Sequence, residues 1–319
     1  MPASPDIQSR ASDLRGSKHF LLSPVRAFSI YLLVLAVLFL RPLFNLFSFS
    51  FQTALYSHIA LIPFITLYLI RLKRTQLPPS TRSFSLLACV PLFIGLLALV
   101  VGWVFDGRTR PLSLVDDLSL SIFSFVCFVL AGVTWFWGPA RTRALAFPLC
   151  FLFFVVPFPT FITQSIETFL QHASADVASL MIALSSIPVL REGLSFKLPG
   201  IVIEVGHECS GIRSSLVLFI TSLIGGYMFF HFARHRAILA LAVLPLAILR
   251  NGFRIFTIAL LCVQVDRDMI HSLIHRRGGP LFFILSLVPF FALLLWLYRR
   301  EQRLRPELPP SRADHTTKS

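Results

Sequence analysis

The chain has 319 residues, of which 55% are hydrophobic and 14% charged, with a mean hydropathy of +0.77. A soluble domain carries about 25% charged residues, so this balance excludes an ordinary soluble fold. The formal net charge of +14 does not point to nucleic acid, because the basic residues sit in short clusters between apolar runs and not along one amphipathic face; such clusters are orientation signals and contacts for anionic membrane lipid.

A membrane span needs about 20 mostly apolar residues. Such runs lie near 27–47, 51–70, 84–105, 115–137, 143–160, 211–230, 237–262 and 280–298. They predict an all-α polytopic membrane protein with about eight transmembrane helices over 27–298. A tail over 1–26 and a polar, Pro-rich, disordered tail over 299–319 are expected on the cytoplasmic side. Arg10, Arg15, Lys18 and Arg26 before the first run resemble the start of a signal peptide. The run is long, however, and Arg41-Pro42 follows it without a small-residue cleavage site, so it reads as an uncleaved span.

Orientation follows from the short loops. The N-terminal tail, Arg71-Leu72-Lys73-Arg74 with Arg82, Arg141 with Arg143, Arg234 with Arg236, and the C-terminal tail hold most of the 29 basic residues. The positive-inside rule makes that side cytoplasmic. Asp106, Glu192, Glu204, Glu208, Asp266 and Asp268 then fall outside. Segment 161–186 has a helical pattern interrupted by Glu167, His172 and Asp176. If it crossed, Arg234, Arg236 and Arg299-Arg300 would face outward, so it is expected to lie on, or dip into, the outer face.

After it, Pro188 breaks the helix. Leu194-Ser195-Phe196-Lys197-Leu198 alternates apolar and polar residues, Pro199-Gly200 signals a turn, and Ile201-Val202-Ile203-Glu204-Val205 is β-branched. An outer-face β-hairpin should therefore lead directly into His207-Glu208-Cys209.

The five cysteines form no CxxC or disulfide framework. Cys89, Cys127 and Cys150 lie within apolar runs and Cys262 at the end of one, whereas Cys209 sits in a polar stretch. Arg250 and Arg254 share a helical face well inside the seventh run, where a charge is expensive. Snorkelling to the headgroups suits Arg254 better than the deeper Arg250. His271 and His275 are four apart but lack the HExxH pattern, so no metal is expected there, and no cofactor elsewhere.

The topology brings Cys209, Arg254 and His275 to one membrane face. A thiolate is a nucleophile whose pKa falls beside cations, an imidazole moves protons near neutral pH, and a guanidinium holds an oxyanion or a carboxylate. Ser210-Gly211 fits the start of a helix, whose dipole favours negative charge. A buried structural cysteine beside a snorkelling arginine would account for the same residues.

Glu208-Cys209-Ser210-Gly211-Ile212-Arg213-Ser214 resembles the CSG-I-R signature of the exosortase/archaeosortase family. Asn251-Gly252-Phe253-Arg254 resembles its N-x-x-R element, and His275, Gly279 and Phe283 resemble its H-x-x-x-G-x-x-x-F element. Pro157, Pro159, Gln171, Ile187-Pro188, Gly193 and Leu198-Pro199-Gly200 extend the likeness, which covers roughly 145–285. Glu208 departs from the small residue often seen before the cysteine, and a carboxylate there raises a thiol pKa. The resemblance implies Cys209, Arg254 and His275 as catalytic residues of a membrane cysteine protease or transpeptidase in the bacterial cytoplasmic membrane, with its active site facing outward. Arg213, Arg250, Asn251, His207 and Glu208 are supporting candidates. The implied partners are exported proteins with a C-terminal motif of the PEP-CTERM kind, a transmembrane helix and a basic cluster, besides membrane lipid. The substrate's own helix is expected to dock laterally between spans. The competing class is a transporter or a polysaccharide or lipid export protein without peptidase activity. It would need a polar path across the membrane, and here the polar residues gather at one face with no inverted repeat evident.

Overall fold

The computed structural model describes residues 24–79, 86–106, 112–185, 187–199, 201–206, 210–265 and 279–304. It is an all-α polytopic membrane protein with one small sheet. Among the described residues, six helices are long and apolar enough to cross a membrane, or up to eight if two bent helix pairs each count as one span. The chain divides into two compact units, 1–160 and 161–319.

In the first unit, the run expected over 27–47 is two helices, α1 (Pro24–Leu38) and α2 (Leu40–Gln52), bent by 74°. Pro24 opens α1, where its missing N–H is no loss. The next spans are Ala54–Leu72, which ends in α3 (Ile62–Leu72), then Leu86–Phe105, which contains most of α4 (Cys89–Asp106), and α5 (Leu114–Trp137). In α5, 61% of the apolar stretch is buried, against 28% and 22% for the two spans before it, so α5 is the central helix of this unit. Gly132 of α5 receives the Tyr31 ring closely, and Tyr31 Oη donates to the Phe128 carbonyl at 2.9 Å. Leu35, Phe39, Val129, Val133, Leu145 and Leu149 form the core here. Large side chains such as Phe64 and Phe93 stay exposed on the spans, as lipid-facing positions do because lipid tails are as apolar as leucine.

The run over 143–160 corrects the expectation of a fifth continuous span. It is α6 (Pro139–Ala144), α7 (Ala146–Phe151) and a 3-10 turn over Leu152–Val155, and the helix stops there. Val156 is extended (φ −74°, ψ 121°) because the following Pro157 disfavours the helical region before it. Non-helical backbone at membrane depth needs hydrogen bonds from the protein. Ser119 Oγ donates to the Pro157 carbonyl at 2.8 Å and Tyr56 Oη to the Phe158 carbonyl at 3.3 Å. The helix then resumes at Thr160, whose N–H donates to Asp116 Oδ1 at 2.7 Å, while Ser113 at the head of α5 donates to Asp116 Oδ2.

In the second unit, the segment that begins at 161 forms one helix, α8 (Thr160–Leu184). By itself it is too polar to qualify as a span, and it does so only together with 146–155. Its buried residues Gln171, Ser174, Ala175, Ala178 and Ile182 recur at helical spacing on one face. The expected hairpin is a three-stranded antiparallel sheet: β1 (Leu190–Glu192), β2 (Ser195–Leu198) and β3 (Ile201–Glu204). Gly193, at φ 62°, supplies the left-handed conformation that a two-residue hairpin turn needs between β1 and β2. The inner face of the sheet, Phe196, Leu198, Ile201, Ile203 and the following Val205, packs on Ala175, Ala178 and Ile182 of α8 and on Ile255, Ile258, Ala259 and Cys262. Cys262 is therefore a small core side chain.

Helix α9 (Ile212–Phe229) leads into α10 (Ala233–Gln264), and α11 (Gly279–Leu304) closes the unit. Arg236 donates from Nε and Nη2 to the Phe230 carbonyl at 2.8 and 2.6 Å, closing the end of α9. Glu301 accepts from the His231 N–H at 2.6 Å and lies 2.7 Å from His235 Nδ1, with His235 and Glu301 both 2% exposed. This pair holds α11 helical through Leu304, so the tail expected to be disordered from 299 is ordered over its first residues. Residues 305–319 lie outside the described residues.

Candidate active site

The site is organised by one turn of α10. That helix has 32 residues, about 48 Å at 1.5 Å per residue, and Arg250 sits about 26 Å from its first residue. Arg250 is 8% exposed and Asn251 is 3% exposed. A buried guanidinium needs acceptors, and Arg250 finds them on α9: Nη2 donates to the Gly211 carbonyl at 3.3 Å and to Ser215 Oγ at 3.2 Å.

Gly211 is at the head of α9 with φ 70°, a conformation that side chains rarely adopt. The space around it is tight as well. A methyl group there would lie 3.2 Å from Arg250 Nη2 and 3.4 Å from the Asn251 amide. Its carbonyl gathers donors from the Ser215 N–H at 3.0 Å, Ser215 Oγ at 2.8 Å and Ser214 Oγ at 3.0 Å in addition to Arg250. The cationic side chain and the two serines thus fix the backbone two residues beyond Cys209. In the first turn of α9, the Ile212 N–H donates to Ser210 Oγ at 3.5 Å.

Two residues beyond Arg250, Gly252 lets α8 approach. A methyl at Gly252 would fall 2.7 Å from Val177 Cγ1 and 3.1 Å from the Ser174 carbonyl. Arg254 is half-buried one turn beyond Arg250 on the same helix. Between them, Phe253 meets Phe282 of α11 edge-on, with ring centroids 6.0 Å apart. Phe282 is in the first turn of α11, which begins four residues after His275. Gln171 of α8 donates from Nε2 to the Val205 carbonyl at 3.2 Å, fixing the exit of β3 four residues before Cys209.

Of the residues singled out from sequence, Arg250 and Asn251 come together with Gly211. Arg213 is exposed on the first turn of α9 and makes none of these bonds. Cys209, His207, Glu208, His271 and His275 lie outside the described residues. Sequence reasoning gave Gln171 and Ser215 no part in the site. A single amide or hydroxyl in a helical pattern carries no local signal of its partner.

The chain matches the family model described as transmembrane exosortase (Exosortase_EpsH) over residues 50–292. No curated protein and no solved structure gives a match. The matched stretch takes in most of the chain, including the α9 head, the α10 turn and the start of α11, and on it the chain belongs to the transmembrane exosortase family.

Proposed function

We propose that this exosortase is a cysteine transpeptidase of the bacterial cytoplasmic membrane that cleaves a C-terminal sorting signal of exported proteins at the outer membrane–water interface. Its substrates carry a short motif, an apolar helix and a basic cluster. The observation that supports this reading is the anchoring of the α9 head, directly after Cys209, to Arg250 on the turn that also carries Asn251 and Arg254.

In the proposed reaction, the Cys209 thiolate attacks the scissile carbonyl carbon and a C–S bond forms. Arg254 holds the oxyanion, since a guanidinium stays charged throughout. His275 passes a proton to the leaving amine as the C–N bond breaks, since an imidazole exchanges protons near neutral pH. The resulting thioester is then attacked by an acceptor amine, His275 takes the amine proton, and the C–S bond breaks to return the thiolate. The cluster of positive groups near the α9 head favours the thiolate and offsets the carboxylate of Glu208.

Cys209→Ala should leave the protein folded in the membrane while its substrate accumulates unprocessed. Hydroxylamine should release a hydroxamate of the cleaved protein from the wild type. Continued processing by Cys209→Ala overturns the mechanism, and transport of a solute with no change in any protein's size favours the export reading instead.

A further inference from the structure

The small sheet has one edge whose main chain is turned outward, on the strand that precedes Cys209 in the chain. Pairing between β2 and β3 joins Ser195 to Glu204, Phe196 to Ile203, Lys197 to Val202 and Leu198 to Ile201. The Val205 N–H donates to the Leu194 carbonyl at 3.0 Å in the same register. Antiparallel ladders alternate, so the N–H and C=O groups of Val205, Ile203 and Ile201 face β2, and those of Val202 and Glu204 face away from it. The Glu204 carbonyl accepts from the Gly206 N–H at 3.1 Å. That leaves the Val202 N–H, the Val202 C=O and the Glu204 N–H aimed outward with no partner among the described residues.

The side chains agree. Ile203 and Val205 are buried against α8 and α10, whereas Val202 is 59% exposed. Lys197, across from Val202, is already paired with Glu192 at 2.6 Å, so it adds no unpaired charge beside the edge. At the other edge, the Arg191 side chain of β1 reaches Asp176 of α8 at 2.7 Å, which sets β1 against that helix.

We propose that the outward edge of β3 receives the extended main chain of the substrate as a fourth strand, so that the signal peptide is delivered along β3 to the nucleophile. Glu204 precedes Cys209 by five residues, a reach of at most about 17 Å. A peptide paired with Val202 and Glu204 therefore places a carbonyl a few residues further on within range of the thiolate. Main-chain pairing supplies affinity, and side chains at alternate positions supply selectivity. The inference rests on the proposed peptidase reading and deepens it.

The test uses the full chain in lipid vesicles. Its probe is a synthetic peptide that runs from about ten residues before the cleavage point to several residues beyond it, in the protein that accumulates unprocessed in Cys209→Ala cells. Each peptide amide is N-methylated in turn. On a strand edge only every second N–H faces the partner, so cleavage should fall about fivefold or more at alternate positions and hold at those between. Val202→Pro, which removes an outward N–H and leaves the β2 ladder intact, should lower peptide cleavage by about fivefold or more while Cys209 alkylation by N-ethylmaleimide keeps its wild-type rate. A flat N-methyl profile overturns the proposal. So does alternation with Val202→Pro unaffected, since the pairing then lies on another edge. If Val202→Pro fails to fold, the N-methyl profile on the wild type decides. Absence of any Cys209-dependent substrate overturns the peptidase reading itself, whereas a Cys209-dependent substrate with a flat profile overturns only the strand pairing.

Discussion

Gly252→Ala tests the packing on which the site rests. The added methyl would sit 2.7 Å from Val177 Cγ1, 2.8 Å from Val177 Cβ and 3.1 Å from the Ser174 carbonyl oxygen. Carbon atoms prefer separations of about 3.5–4.0 Å. Rotating Val177 does not help, because its Cβ is itself in the way, so α8 and α10 must part by about 1 Å. Overpacking of this kind costs about 1–3 kcal/mol, and the backbone carbonyl puts this case near the upper end. The better helix propensity of alanine returns about 1 kcal/mol. The net expectation is a loss of about 1–2 kcal/mol, where an uncrowded helical glycine would show a gain of about 1. Activity should suffer more than stability. Moving Asn251 and Arg254 by about 1 Å relative to their partners lowers turnover by about a hundredfold. Thermal unfolding in detergent micelles and the rate of signal cleavage give the two readouts. Adding Val177→Gly removes the two closest obstructing atoms, so the double variant should be more stable than the sum of the single changes predicts, by about 1 kcal/mol or more. A Gly252→Ala protein that gains stability and keeps its activity, or a cycle that is additive, would refute the close approach of these helices.

Two other substitutions test the anchors at the middle and the start of α10. Arg250→Gln removes the cation that binds the Gly211 carbonyl and Ser215 Oγ. It should lower kcat by about tenfold or more with a smaller change in KM, because a charged hydrogen bond is worth about 1.5–3 kcal/mol and here it positions the nucleophile's loop, not the substrate; a change confined to KM would count against a positioning role. Glu301→Ala leaves the buried His235 and the His231 N–H without their acceptor. It should destabilise the protein by about 3–5 kcal/mol, with Glu301→Gln less damaging because one acceptor oxygen remains; equal unfolding midpoints for the Ala variant and the wild type would exclude this clasp.

The spans were legible because hydropathy is a local property. A run such as 115–137 reads as a helix without knowledge of its neighbours, and α5 follows it closely. The β-branched stretch at 201–205 and its turn signal likewise predicted β3 and the hairpin with β2. The misreadings occurred where local hydropathy and backbone chemistry disagree. Residues 143–160 are apolar enough to span, but Pro157 and Pro159 cannot donate hydrogen bonds, and the helix ends at Val155. Strand β1 was missed because Leu190-Arg191-Glu192 is too short to show alternation, and its pairing depends on the turn at Gly193. The helical stretch 299–304 looked like a polar tail because Glu301 and His235 are 66 residues apart in the chain.

The sequence by itself determined the membrane class, the approximate spans and the motif residues, since composition, charge clusters and short spacings all lie within a window of a few turns. Only the tertiary structure decided that Arg250 is a buried anchor for the α9 head. It also decided that Gln171 fixes the exit of β3 and that Gly252 is a contact point for α8. Each depends on a partner 34 or 39 residues away along the chain, or on another helix altogether. A buried polar group must find its acceptor somewhere, but which acceptor it finds is set by how the helices cross, and that geometry is not encoded in any single segment.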